Sequence, residues 1–173
     1  KELIINGPQD LKYTGLFTYS MMVVDNDCAG SARQTVEDCK IYSSISISYS
    51  MEPEQNIALA RNKAVANAEG DFIAFIDDDE VPGEDWLINL LHAYEKFGAD
   101  GVLGPVLPYY DVSPPKWIID GKFHERPSHR TGEMLHWRNT RTGNVMFRRD
   151  IFNDGDKRFR REFGSGGEDR DFF

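Results

Sequence analysis

Phe72-Ile73-Ala74-Phe75-Ile76 runs directly into Asp77-Asp78-Asp79-Glu80. Five consecutive apolar residues suit a strand covered on both faces, and the acids then fall where that strand ends. Carboxylates packed this closely raise one another's pKa, so the turn favours a positive partner, and a divalent cation is the natural one. A solvated acidic turn is the alternative reading of the same four residues. An earlier stretch repeats the pattern: residues 19–24 (YSMMVV) are nearly all apolar and end in Asp25-Asn26-Asp27.

Working outward, Ile45, Ile47 and Tyr49 alternate with serines, the period of a strand with one covered face at a sheet edge. Residues 54–68 are rich in alanine and straight-chain side chains and stop before Gly70, which predicts a helix. After the turn at Pro82-Gly83, Leu87, Leu90, Leu91, Tyr94 and Phe97 recur at helical spacing behind the acidic pair Glu84-Asp85. Residues 101–107 form another apolar segment. The order strand, helix, strand, helix, strand predicts an α/β fold built on a parallel sheet, whose ligands bind at strand carboxyl ends.

Beyond Tyr110 the periodicity lapses. Residues 111–142 hold three of the four histidines and two of the three tryptophans, and they read as a long functional loop or lid. Residues 143–148 (GNVMFR) predict a short strand. The glycines around Ser165 lead into Glu168-Asp169, which opens the start of a helix. On such a helix Phe172 and Phe173 share a face with Asp169, so anchored rings would hold its carboxylate toward a cleft. A carboxylate so placed suits a general base, and complementing the helix dipole is the plainer role.

The 173 residues are 40% hydrophobic and 12% aromatic, which suits one compact domain. No stretch approaches the roughly 20 apolar residues of a membrane-spanning helix, and the amino terminus lacks the order of a signal peptide. Cys28 and Cys39 are too few for a disulfide framework, which favours a reducing, cytoplasmic setting. The net charge of −9 is uneven: residues 1–111 carry 7 basic and 19 acidic side chains, residues 112–173 carry 13 and 10. The acidic part argues against nucleic acid as a partner. The basic part is compatible with an anionic acceptor or peripheral contact with the inner membrane face, though a solvated charged surface is the commoner meaning.

Four segments in one order, VVDND at 23–27, ALARNKAV at 58–65, FIDDDE at 75–80 and GGEDRDFF at 166–173, resemble the family 2 glycosyltransferases of the GT-A fold. Each segment is weak alone, and their joint order is the specific signal. The resemblance implies a mostly parallel, Rossmann-like α/β sheet flanked by helices. It implies an inverting transfer, in one displacement, from a nucleotide-diphosphate-sugar, usually a UDP-sugar, to an acceptor hydroxyl on a saccharide or lipid-linked molecule. Asp25 then matches the nucleobase contact and Arg61 an arginine near the nucleotide. Asp77 and Asp78 fall nearer the ribose and sugar, and Asp79 matches the ligand of Mg²⁺ or Mn²⁺. Asp169 matches the general base, with Glu168 as its fallback.

By the same resemblance the chain is expected to be one GT-A domain fragment, with residues 1–110 on the nucleotide-sugar side and 111–173 on the acceptor side. Family members begin with a strand ending in a P-T-x-N-like segment, and none precedes Val23. Residues 1–6 instead look like the tail of the first helix, so truncation at both ends is expected. His124, His129 and His136 lack the close pairing of helical zinc ligands. Burying apolar surface is the commoner role for Trp117 and Trp137. The rivals are a non-catalytic nucleotide-sugar or metal-binding domain and a sugar nucleotidyltransferase, for which a glycine-rich phosphate loop is lacking.

Overall fold

A computed structural model describes residues 15–153, 155 and 157–173. The segment 1–6 lies outside them. Strand β1 (Ser20–Asp25) pairs in parallel with β2 (Ser46–Met51), Ser20 opposite Ser46 and Asp25 opposite Met51. Between them runs helix α1 (Arg33–Tyr42), which the sequence reading leaves unassigned. Val36 is its only buried residue, and Ile41 and Tyr42 face solvent, so no apolar stripe marks it. Residues 21–24 of β1 are half-buried rather than fully enclosed, and Asp25 is the buried end of the strand.

Helix α2 (Ile57–Asn67) packs on β1. Asn56 starts it from an extended backbone, its side chain accepting the Leu59 amide at 3.1 Å, which satisfies one of the donors a helix leaves open at its first turn. Strand β3 (Phe72–Phe75) follows, then helix α3 (Trp86–Phe97), which Gly98 ends in the left-handed conformation that glycine adopts without strain. Strand β4 (Gly101–Leu103) is shorter than its apolar run suggests. Residues 111–142 are mostly exposed and contain the short helix α4 (Lys116–Gly121) and a 3-10 turn at Trp137–Asn139. Trp117 and Trp137 are both exposed, contrary to the expected burial.

Strand β5 (Val145–Arg148) returns between β3 and β4, antiparallel to both, so those two strands point the same way on either side of it. The α/β architecture is as expected, with helices alternating with strands: β1 and β2 pair in parallel as one sheet, and β5 runs against β3 and β4 in a second, three-stranded sheet. Val145 and Phe147 of β5, Ala58 of α2, and Phe159 form the buried core together with Phe172 of helix α5 (Glu168–Phe172). Phe159 and Phe172 stack with ring centroids 4.4 Å apart, and Phe173 packs 5.4 Å from Phe147. Burial of two adjacent rings therefore fixes a helix of only five residues that could not persist alone.

Candidate active site

Strand β1 ends in acid at Asp25, and β3 runs into the acidic turn at residues 77–80. Asp25, at the end of β1, is 7% exposed. Its Oδ1 accepts the Asp27 amide at 3.0 Å, and its Oδ2 accepts the Ala32 amide and the Tyr49 hydroxyl, both at 2.9 Å. These three bonds fold the loop after β1 around one carboxylate. Burial, and then the bond to Asp25, push the Tyr49 phenol above its ordinary value. The Arg33 guanidinium lies 4.6 Å over the Tyr49 ring.

Asn26 carries the connection onward. Its Nδ2 donates to the carbonyls of Glu52 and Glu54, and its Oδ1 accepts the Asn56 amide at 3.0 Å. Asn56, itself buried, donates from Nδ2 to the Arg161 carbonyl at 3.0 Å. The Ile57 amide reaches the Gly164 carbonyl at 3.1 Å. A Cβ at Gly164 would fall 2.1 Å from the Asn56 side chain, so only glycine fits that approach. The start of α2 is thus fastened to the turn that leads into α5.

Arg61, one turn further along α2, is the hub. Its Nη1 donates to the buried carboxylate of Glu168 on α5, and its Nη2 lies 3.5 Å from Oδ1 of Asp77. Burial pulls the guanidinium below its ordinary value, while the carboxylates of Asp77 and Asp169 push the other way. Asp169 is half-buried beside this cluster, its Oδ1 accepting the Arg170 amide at 2.7 Å. Of the residues singled out in the sequence, Arg61, Asp77, Glu168 and Asp169 therefore meet in space. Asp25 reaches the same assembly through the Asn26–Asn56 relay.

Asp78 and Asp79 are exposed on the turn after β3. Glu80, which sequence reasoning did not assign, is more enclosed: burial, then the neighbouring Asp77 and Asp79 carboxylates, raise its pKa, and Arg141 opposes them. A Cβ at Gly143 would lie 2.8 Å from Asp77 Oδ2 and 2.9 Å from Glu80 Oε1, so glycine lets the acidic turn close against the entry to β5. Among the described residues no group of three or more His, Cys, Asp or Glu side chains is gathered as a metal site. The oxygen donors on the turn nonetheless fit Mg²⁺ or Mn²⁺, which commonly take one or two carboxylates from protein and complete their shell with water and substrate phosphate. His129 is engaged with Glu133 at 3.0 Å, and Cys28 and Cys39 are free thiols.

Asn26 and Glu80 lie inside stretches that the sequence singles out but receive no role of their own there, and Asn56 has no local signal; their roles come from pairings between distant segments. No described helix is long and apolar enough to cross a membrane.

The chain is 42% identical over 155 residues to the succinoglycan biosynthesis protein ExoM of Rhizobium meliloti, covering 88% of this chain and 49% of that protein. It is 30% identical over 105 residues to a glucosyl-dolichyl phosphate glucuronosyltransferase of Haloferax volcanii, covering 58% of this chain and 34% of the relative. The chain thus spans half or less of the length of these relatives. Among solved structures, S. aureus TarS 1-349 in complex with UDP-GlcNAc aligns over 88% of this chain and 42% of its own, at 22% identity and a TM-score of 0.62. That likeness shows the GT-A fold. The family model for glycosyl transferase family 2 matches residues 16–156, and the chain belongs to that family.

Proposed function

We propose that the chain carries the donor site and general base of an inverting glycosyltransferase that moves a sugar from a UDP-sugar to an acceptor hydroxyl. The observation that carries this reading is Arg61, which draws the acidic turn at Asp77 and the Glu168-Asp169 pair to one place. The TarS structure in complex with UDP-GlcNAc supports the choice of nucleotide, and the name of the ExoM protein supports a saccharide acceptor in polysaccharide synthesis.

In this reading the acceptor oxygen forms a bond to the anomeric carbon while the bond from that carbon to the diphosphate breaks, its electron pair leaving on phosphate. The acceptor proton passes to Asp169, whose carboxylate is held by the Arg170 amide and steadied by Arg61. Glu168 is buried and committed to Arg61, which suits a positioning role better than that of the fallback base. Asp25 closes the pocket for the nucleobase, and Asp77 and Asp78 border the ribose and sugar. A divalent cation bound at Asp79 would offset negative charge on the departing diphosphate. Residues 1–110 form the donor side and 111–173 the acceptor side, and a lipid-linked acceptor would bring the exposed 111–142 loop to the inner membrane face.

Assays of transfer and donor hydrolysis with UDP-sugars test this. Asp169→Asn and Asp79→Ala should each lose about a hundredfold or more in rate, the usual cost of removing a general base or a charge-stabilising group. Nucleotide-sugar binding with no turnover by the wild-type chain would instead favour a non-catalytic binding domain.

A further inference from the structure

Helix α4 ends on a turn that holds two large rings out to water. Lys122 closes the helix in the left-handed conformation, with φ at 50°, an uncommon one for a residue with a long side chain. Its amide donates to the Ile119 carbonyl at 3.1 Å, and the Glu125 amide donates to the Lys122 carbonyl at 3.2 Å. The chain thereby doubles back and lays Phe123 over Gly121, where a Cβ would fall 2.1 Å from the ring and glycine leaves room for it. Phe123 then meets Trp117 edge-on, with centroids 5.9 Å apart. Both rings are nevertheless 66% exposed, and Ile119, between them in sequence, is 54% exposed. A defined turn thus presents an apolar tip instead of burying it.

The charge of this stretch is opposite to that of the chain. The whole chain carries −9, whereas residues 116–130 hold four Lys and Arg side chains against two acids. Every residue from 119 to 130 is exposed. Rings interleaved with cations suit the boundary between lipid headgroups and acyl chains, where aromatic side chains settle and lysine stems lie along apolar surface with their ammonium groups at the phosphates. A saccharide would stack on the rings but would gain little from Ile119 or from the lysines, so the combination favours lipid.

We propose that the α4 turn docks the protein on an anionic lipid surface, with Trp117, Ile119 and Phe123 entering the headgroup boundary and Lys116, Lys122 and Arg126 facing lipid phosphates. This deepens the function proposed above by giving the acceptor side its surface, and it rests on that function only for the purpose of docking. The contact itself needs neither donor nor acceptor.

Flotation of the full chain with vesicles of phosphatidylcholine, alone or mixed with phosphatidylglycerol, tests it. Wild type should float with the mixed vesicles and less so as salt is raised. Trp117→Ser with Phe123→Ser should cut that partitioning about tenfold or more, the loss expected when two large rings no longer leave water. Lys116→Glu with Lys122→Glu should remove the preference for the anionic mixture. These positions are exposed, and thermal melts check that the variants stay folded. Bromine-labelled lipid should quench wild-type indole emission, and Trp117→Phe should lose most of that quenching. Wild type that does not float, partitioning unchanged by loss of both rings, or quenching that survives Trp117→Phe overturns the docking surface. Loss of both rings that raises KM for a soluble saccharide acceptor, in a chain that binds no vesicle, would make the tip a sugar platform and likewise overturn it. Vesicle binding by a chain that transfers no sugar would count against the proposed function and leave the docking surface standing.

Discussion

Arg61 of α2 and Glu168 of α5, 107 residues apart in sequence, form a buried ion pair in which the arginine keeps its second terminal nitrogen 3.5 Å from Asp77. One guanidinium therefore ties the turn after β3 to the last helix, and the positions of three carboxylates depend on it.

Breaking that pair by removing only the arginine leaves Glu168 charged and enclosed. Arg61→Ala is expected to cost about 3 kcal/mol or more in urea unfolding, the usual penalty for stranding one partner of a buried pair. The double change Arg61→Met with Glu168→Gln should cost markedly less, because no lone charge is left inside. Equal losses in the two proteins would show that packing, and not the ion pair, sets the stability here.

Asn56 caps α2 with its oxygen and holds the Arg161 carbonyl with its amide nitrogen. Asn56→Ala should lose about 2 kcal/mol, the sum expected for a cap and a buried hydrogen bond. Asn56→Asp keeps the acceptor and loses the donor, so its melting temperature should fall between wild type and the alanine variant. An aspartate variant as unstable as the alanine one would remove the cap from the explanation.

Glu52 supplies a pH-dependent contribution. The hydrogen bond from Lys63, with Nζ 3.1 Å from the carboxylate, and the Glu54 amide hold its carboxyl below the ordinary carboxylate value. A carboxyl depressed by folding stabilises the fold fully above its unfolded value, about 4.3, and this stabilisation is lost as pH falls through the folded value. Glu52→Gln should therefore narrow the stability gap between about pH 5 and pH 3 relative to wild type in denaturant titrations. Identical acid limbs for the two proteins would contradict the depressed value.

The sequence made much of this legible where the signal is local. The apolar run before Asp77 is β3, the leucine spacing after Pro82 is α3, and residues 143–148 contain β5, because burial on one or both faces writes itself into a short period. Helix α1 had no such stripe, since Val36 alone is buried. The site divides in the same way. Asp25, Arg61, Asp77 and Asp169 were found through a resemblance spread over four segments, whereas Glu80, Asn56 and Arg141 draw their character from burial and from partners that only the folded chain supplies. The antiparallel insertion of β5 between β3 and β4 was also out of reach, because strand order is decided by pairing between distant segments.

The most direct test of the donor site is the affinity of UDP, measured by calorimetry in Mn²⁺ and in chelator, for wild type and Asp79→Ala. With the cation held between Asp79 and the diphosphate, Mn²⁺ should tighten UDP about tenfold or more in wild type and have little effect in the variant. UDP affinity indifferent to Mn²⁺ in wild type, or equally metal-dependent after Asp79 is removed, would contradict the assignment of that aspartate and of the acidic turn that carries it.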